Sequence, residues 1–85
     1  MYYVYVLWSV KQSQSYVGYA EDIAKRLAQH NNGYERATRL AEDWQVIYQE
    51  PRSSKVDAIK RETFLKSGDG RRVLKRILSD KSLGS

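Results

Sequence analysis

Tyr2-Tyr3-Val4-Tyr5-Val6-Leu7-Trp8-Ser9-Val10 opens the chain, and after the polar run Lys11 to Ser15 comes Tyr16-Val17-Gly18-Tyr19-Ala20. Both apolar runs are rich in aromatic and β-branched residues, which suit a pleated, half-buried surface. A short polar break between two such runs predicts an antiparallel hairpin. By the two-residue period of a strand, Tyr3 and Tyr5 share one face and Tyr2 and Val4 the other. Gly18 either lets another group approach the backbone closely or marks a bulge.

Downstream of the hairpin, Glu21 and Asp22 place acids in the first turn of a helix that runs to about Asn31, with Asn32-Gly33 as its stop. Tyr34 to Asp43 has no clear period and reads as loop with a helical turn. Trp44-Gln45-Val46-Ile47-Tyr48 reads as a third strand, ended by Pro51. Ser54 with Asp57 three residues on resembles a capping box and opens a second helix to about Lys66. Ser67-Gly68-Asp69-Gly70 breaks that helix, and Asp69 can cap a third, whose apolar stripe is Val73, Leu74, Ile77 and Leu78. The order ββαβαα predicts an α+β fold, a small antiparallel three-stranded sheet flanked by three helices. Residues 1–80 form one domain in this reading, and 81–85 a polar tail.

With 85 residues, only one modest core can be built. The chain has no cysteine and one histidine, so disulfide frameworks and thiolate zinc sites are excluded and any metal must rest on oxygen ligands. There is no basic leader before a long apolar run and no stretch long enough to span a bilayer, which points to a soluble cytoplasmic protein with no membrane partner. The net charge of +5 is unevenly spread: Arg52 to Arg76 holds nine basic residues against three acidic ones, a surplus of +6, leaving −1 for the rest. A basic third of this kind either binds a polyanion by counterion release or simply solvates two helix faces.

The polar residues on these elements narrow the choice. On the second helix, Val56, Ala58, Ile59 and Leu65 form one arc with Glu62 in its middle. A carboxylate on an inner face needs a cation, either an arginine such as Arg26 or a metal ion. On the first helix, Ile23, Ala24, Leu27 and Ala28 face the core, and Arg26 and His30, four apart, lie on one flank and can reach a common ligand. An arginine fork recognises phosphate oxygens by paired hydrogen bonds, or it covers apolar surface with its stem. His30 either acts in chemistry or interacts with the last carbonyls of its helix.

Taken together, these residues resemble the GIY-YIG nuclease family, in its small single-domain bacterial type. Tyr3-Val4-Tyr5 stands at the first signature tripeptide, Tyr16-Val17-Gly18 at the second, Arg26 at the family's arginine and Glu62 at its metal-binding glutamate. The likeness extends through Asp22 to Asn31, Ala58 to Glu62 and Phe64 to Gly68, so it spans residues 2 to 78. Tyr3 replaces the nominal glycine, valines replace two isoleucines, Tyr19 stands where some members carry lysine, and His30 where others carry tyrosine.

The resemblance implies a divalent-metal-dependent endonuclease hydrolysing DNA, with RNA as the alternative substrate, structure-selective and linked to repair or recombination. Glu62 would hold Mg2+ or Mn2+, and Arg26 would stabilise charge on the phosphorus oxygens. Tyr16 would hydrogen-bond the water or phosphate, and Tyr5 or His30 would act as base. A cation such as the metal or Arg26 would depress the Tyr5 phenol, and His30 would titrate near neutrality unaided. Lys60, Arg61, Lys66, Arg71 and Arg72 are the candidate nucleic-acid contacts, and the expected state is a monomer or weak homodimer. Two other readings stand beside it: a nucleic-acid-binding module that stacks bases on strand tyrosines without cutting, and a small interaction domain whose tyrosines are all core.

Overall fold

The computed structural model describes residues 1–83, so Gly84 and Ser85 of the expected polar tail lie outside the described residues. Its elements are β1 (Tyr2–Ser9), β2 (Gln14–Ala20), α1 (Ile23–Asn31), β3 (Gln45–Arg52), α2 (Lys55–Lys66) and α3 (Arg71–Asp80). The order is the expected ββαβαα. One antiparallel sheet with strand order β2-β1-β3 puts β1 in the centre.

A central strand covered on both faces has no polar side, and Val4 to Ser9 are accordingly all buried. Val4 and Val6 pack with Val17, Ala58 and Leu65, joined by Val73 and Leu74, so α2 and α3 cover one face. Tyr5 and Leu7 pack with Ala41 and Trp44, joined by Tyr16, Ile23 and Leu27, so α1 and the 34–43 connection cover the other. The hairpin turn is pinned from a distance: Ser9 Oγ donates to Asp43 at 2.6 Å and the Lys11 N–H to the same carboxylate at 3.0 Å. Those hydrogen bonds, Ser9 first, hold the Asp43 carboxyl below its usual range.

Three boundaries differ from the sequence reading. Strand β2 begins at Gln14 rather than Tyr16, because Ser13 takes the left-handed φ of 49° and closes the turn early. Strand β3 runs through Pro51 to Arg52, with Pro51 opposite Tyr3. It lies at the sheet edge, where a residue without an N–H is tolerated. The same pairing shifts between Val6 and Leu7, leaving Ile47 as the extra residue of a bulge. Asp69 does not cap α3: the N-cap is Gly70, without a side-chain cap, and Ser67 Oγ accepts from the Gly70 N–H at 3.2 Å. Asp22 and Ser54 do cap their helices, accepting from the N–H groups of Lys25 and Asp57.

Helix faces differ more. The inner row of α1 is Ile23, Arg26, Leu27 and His30, with Ala24 and Ala28 exposed. The inner row of α2 is Ala58, Arg61, Glu62 and Leu65, whereas Val56 is 63% and Ile59 39% exposed. Each row follows the i, i+3, i+4, i+7 spacing of one helix face, and each carries polar residues toward the sheet.

The α2–α3 corner depends on close backbone approach. A Cβ on Gly70 would fall 1.7 Å from the Phe64 carbonyl oxygen, whereas one on Gly68 meets nothing within 4 Å. Gly70→Ala should therefore lower stability by at least about 1–3 kcal/mol in urea denaturation, and Gly68→Ala should leave the midpoint nearly unchanged. Equal midpoints for the two variants would contradict this packing.

Candidate active site

Pairing of β1 with β2 sets Tyr5 opposite Gly18. A Cβ at Gly18 would lie 2.6 Å from the Tyr5 hydroxyl oxygen and 3.1 Å from Tyr16 Cε2, so glycine is what lets the two phenol rings crowd together over the strand. The Tyr5 hydroxyl then meets His30 Nε2 at 2.9 Å, and His30 Nδ1 meets Thr38 Oγ1 at 2.8 Å. Trp44 Nε1–H donates to the Thr38 carbonyl at 2.8 Å, and the Asn31 side chain is bonded to both backbone polar groups of Trp44. The 34–43 connection is thereby tied to the end of α1.

Burial sets the protonation of this row. His30 is fully buried, and burial, helped by the Arg26 charge, lowers its pKa from 6.5. A neutral imidazole has one donor and one acceptor nitrogen, and hydroxyls on both sides can satisfy either tautomer. Tyr5, 1% exposed, is pushed up to about 12, chiefly by burial, with the Arg26 guanidinium pulling the other way. Arg26 by itself therefore does not depress the Tyr5 phenol as expected, because desolvation outweighs it. The expectation that His30 titrates without perturbation is corrected. Tyr16 is also raised, by burial first, with Lys66 opposing and Glu35 and Glu62 adding to the rise.

Around Tyr16 the charges come in pairs. The Arg26 guanidinium donates to Gln29 Oε1 at 2.9 Å and forms a short ion pair with Glu35. Burial works against its charge, but its interactions with the Tyr5 oxygen and the Glu35 carboxylate outweigh it and its pKa rises. Glu62, its side chain 19% exposed, pairs with Lys66 at 2.6 Å, and the Lys66 ammonium stands 5.2 Å from the Tyr16 ring centre. The partner of Glu62 is therefore a lysine one turn on, not Arg26, which Glu35 already holds. A cleft of about 500 Å³ opens beside this centre, lined by Ser15, Tyr16, Val17, Lys66, Arg71, Leu74 and Lys75.

Of the expected nucleic-acid contacts, Lys66 and Arg71 line the cleft. Arg61 turns away to Glu50 at 2.9 Å and over the Phe64 ring at 5.6 Å, in a network with Arg52 and Asp57. Lys60 and Arg72 are exposed outside the cleft lining. Gln29, Glu35, Thr38 and Lys75 were missed by the sequence reading. Lys75 was accessible from its spacing, four residues after Arg71 on one helix; the loop residues Glu35 and Thr38 carried no periodic signal.

The model of the GIY-YIG catalytic domain matches residues 1–74. The chain belongs to the GIY-YIG family. A UPF0213 protein of Staphylococcus saprophyticus is 38% identical over 77 residues, covering 89% of this chain and 93% of the relative. A UPF0213 protein of Staphylococcus epidermidis is 32% identical over the same coverage, and one of Staphylococcus haemolyticus 34%. No solved structure matches at a significant level. GIY-YIG proteins are a family of endonucleases that act on nucleic acid and typically use divalent metals. No helix among the described residues is long and apolar enough to cross a membrane.

The GIY-YIG chain fits a hydrated ion better than a caged one. Among the described residues no group of three or more His, Cys, Asp or Glu side chains could hold a metal. Two carboxylates stand near Tyr16: Glu35, held by Arg26, and Glu62, whose Oε2 Lys66 engages. Magnesium is bound through one or two carboxylates, with waters and phosphate oxygens completing its octahedron. The donor set suits that mode.

The buried imidazole makes folding depend on pH. Between the lowered folded pKa of His30 and 6.5, the unfolded chain takes up a proton that the folded chain refuses. The His30 contribution is intact above 6.5 and is lost as pH falls below it. The urea midpoint should fall between about pH 7 and about pH 5.5, and His30→Gln should flatten that slope. A wild-type midpoint that is constant across this window would contradict a neutral buried His30.

Proposed function

We propose that this GIY-YIG chain is a divalent-metal-dependent endonuclease that hydrolyses phosphodiester bonds in DNA. The observation that supports it is the gathering around Tyr16 of a carboxylate (Glu62), a guanidinium (Arg26) and the Tyr5–His30 pair. Four side chains from three elements, β1, α1 and α2, converge on one half-buried phenol of β2 beside a cationic cleft.

Glu62 is the residue that would hold Mg2+ or Mn2+. When bound, such an ion neutralises charge on the scissile phosphate and on the leaving oxygen. Arg26 exchanges its carboxylate partner Glu35 for the phosphate, to which its fork donates paired hydrogen bonds that strengthen as charge builds on the oxygens. Tyr16 Oη donates to a phosphate oxygen or orients the attacking water. With the Tyr5 phenol pushed up to about 12 by burial, we assign Tyr5 as a proton relay rather than as a free tyrosinate base. Tyr5 Oη accepts the water's proton while passing its own to His30 Nε2, so the phenol stays neutral throughout. The tautomer this needs is Nδ1–H donating to Thr38 Oγ1, which leaves Nε2 as the acceptor.

Glu62→Gln tests the assignment, because it keeps the shape and the hydrogen bond from Lys66 but removes the charge. With labelled branched, nicked and single-stranded DNA in Mg2+ or Mn2+, the wild type should cut and the variant should lose at least on the order of 10²-fold in rate, with binding and thermal stability retained. Full activity in the variant would reject the role of Glu62. Binding without cleavage by the wild type in either ion would leave the chain a nucleic-acid-binding module.

A further inference from the structure

The cleft between β2 and α3 has a composition that phosphate binding alone does not require. Its walls carry Lys66, Arg71 and Lys75, and none of the chain's ten acidic residues lines it. Lys66 is paired with Glu62, as Arg52 is with Glu50 and Asp57 and Arg61 with Glu50. Arg71 and Lys75 form no ion pair among the described residues. The cleft also has an apolar floor, made chiefly by the half-buried Leu74, with the edge of Val17, otherwise packed in the core, beside it. At about 500 Å³ it lies in the size range of small-ligand sites.

A duplex presents phosphates on a convex surface and keeps its bases stacked inside, so it has nothing to place on Val17 and Leu74. An unpaired nucleotide presents both parts, a charged backbone for the cations and a base face for the apolar floor. The Lys66 ammonium covers one face of the Tyr16 ring, which directs an entering base to the floor rather than onto the phenol. The geometry points to this cleft as a subsite for an unpaired nucleotide of a single-stranded polynucleotide, with Arg71 and Lys75 binding its phosphates and Val17 and Leu74 its base. The assignment rests on the nuclease reading only in placing that nucleotide next to the scissile phosphate at Tyr16. The substrate class is then a strand with unpaired residues beside the cut, in DNA or RNA.

Fluorescence anisotropy in EDTA, where nothing is cut, tests the subsite apart from the chemistry. The probes are a labelled single-stranded DNA of about twelve nucleotides, the RNA of the same sequence and the blunt DNA duplex. Both single strands, or whichever polymer the cleft takes, should bind at least about 10-fold more tightly than the duplex at equal salt. Arg71→Ala with Lys75→Ala should weaken single-strand binding about 10-fold and reduce the slope of log K against log salt by about 1.4, at about 0.7 per lost phosphate contact. Lys25→Ala with Lys55→Ala, two exposed lysines outside the cleft, should change binding less than about 2-fold by the same arithmetic. Equal affinity for duplex and single strands, or an Arg71/Lys75 variant that binds like wild type, overturns the subsite. Cleavage with duplex-equal binding would sink the subsite and leave the nuclease reading standing; single-strand binding as expected with no cleavage in Mg2+ or Mn2+ would do the reverse.

Discussion

The buried hydrogen bond between the Tyr5 hydroxyl and His30 Nε2, at 2.9 Å, joins the sheet to α1, and most of the site's geometry follows from it. It exists because Gly18 leaves room for the Tyr5 ring where any Cβ would collide with it. It also requires His30 to sit on the inner row of α1, where burial strips it of charge. Once the imidazole is fixed there, its second nitrogen captures Thr38, and through Thr38 and Trp44 the 34–43 connection is closed over the same face. Leaving a donor or acceptor of this row without its partner would cost about 1–3 kcal/mol, so each bond constrains the next.

Charge is organised differently from hydrogen bonding. Both ionic residues of the proposed centre are held at rest by an opposite charge, Arg26 by Glu35 and Glu62 by Lys66. Neither pair is fully buried, so each partner can return to solvent without stranding a charge in a dry interior. A phosphate on Arg26 and a cation on Glu62 would each replace a like-charged protein group. Binding then substitutes interactions rather than creating a charged pocket from nothing, which reconciles a basic cleft with a stable small fold.

Much of the architecture was legible because local chemistry and tertiary context agree. The hairpin follows from two aromatic and β-branched runs, and Asp22 and Ser54 are side-chain caps that act within a few residues of themselves. Faces of the helices were legible only in part: Ile23, Leu27, Ala58, Glu62 and Leu65 lie on the inner rows as expected, and their apolar neighbours do not. An amphipathic reading sends Ala24, Ala28, Val56 and Ile59 inward, but the sheet surfaces they would cover carry tyrosines and polar partners. Arg26, His30 and Arg61 turn inward instead, beside the expected Glu62, with Ala58 and Leu65 supplying the apolar contact. Strand β3 ran past Pro51 because edge position, a property of the sheet, decides whether a missing N–H matters. Glu35 and Thr38 reach the site from a connection without period, and only the closed fold shows where they point.

In the proposed mechanism the side chains gathered at Tyr16 direct water at phosphorus. Single-turnover cleavage of labelled DNA in 18O-enriched water, followed by mass spectrometry of the products, tests this most directly. Hydrolysis predicts one solvent oxygen on each new phosphomonoester and none at the released hydroxyl. Products without the label on phosphorus, or the absence of any product with both Mg2+ and Mn2+, would contradict it.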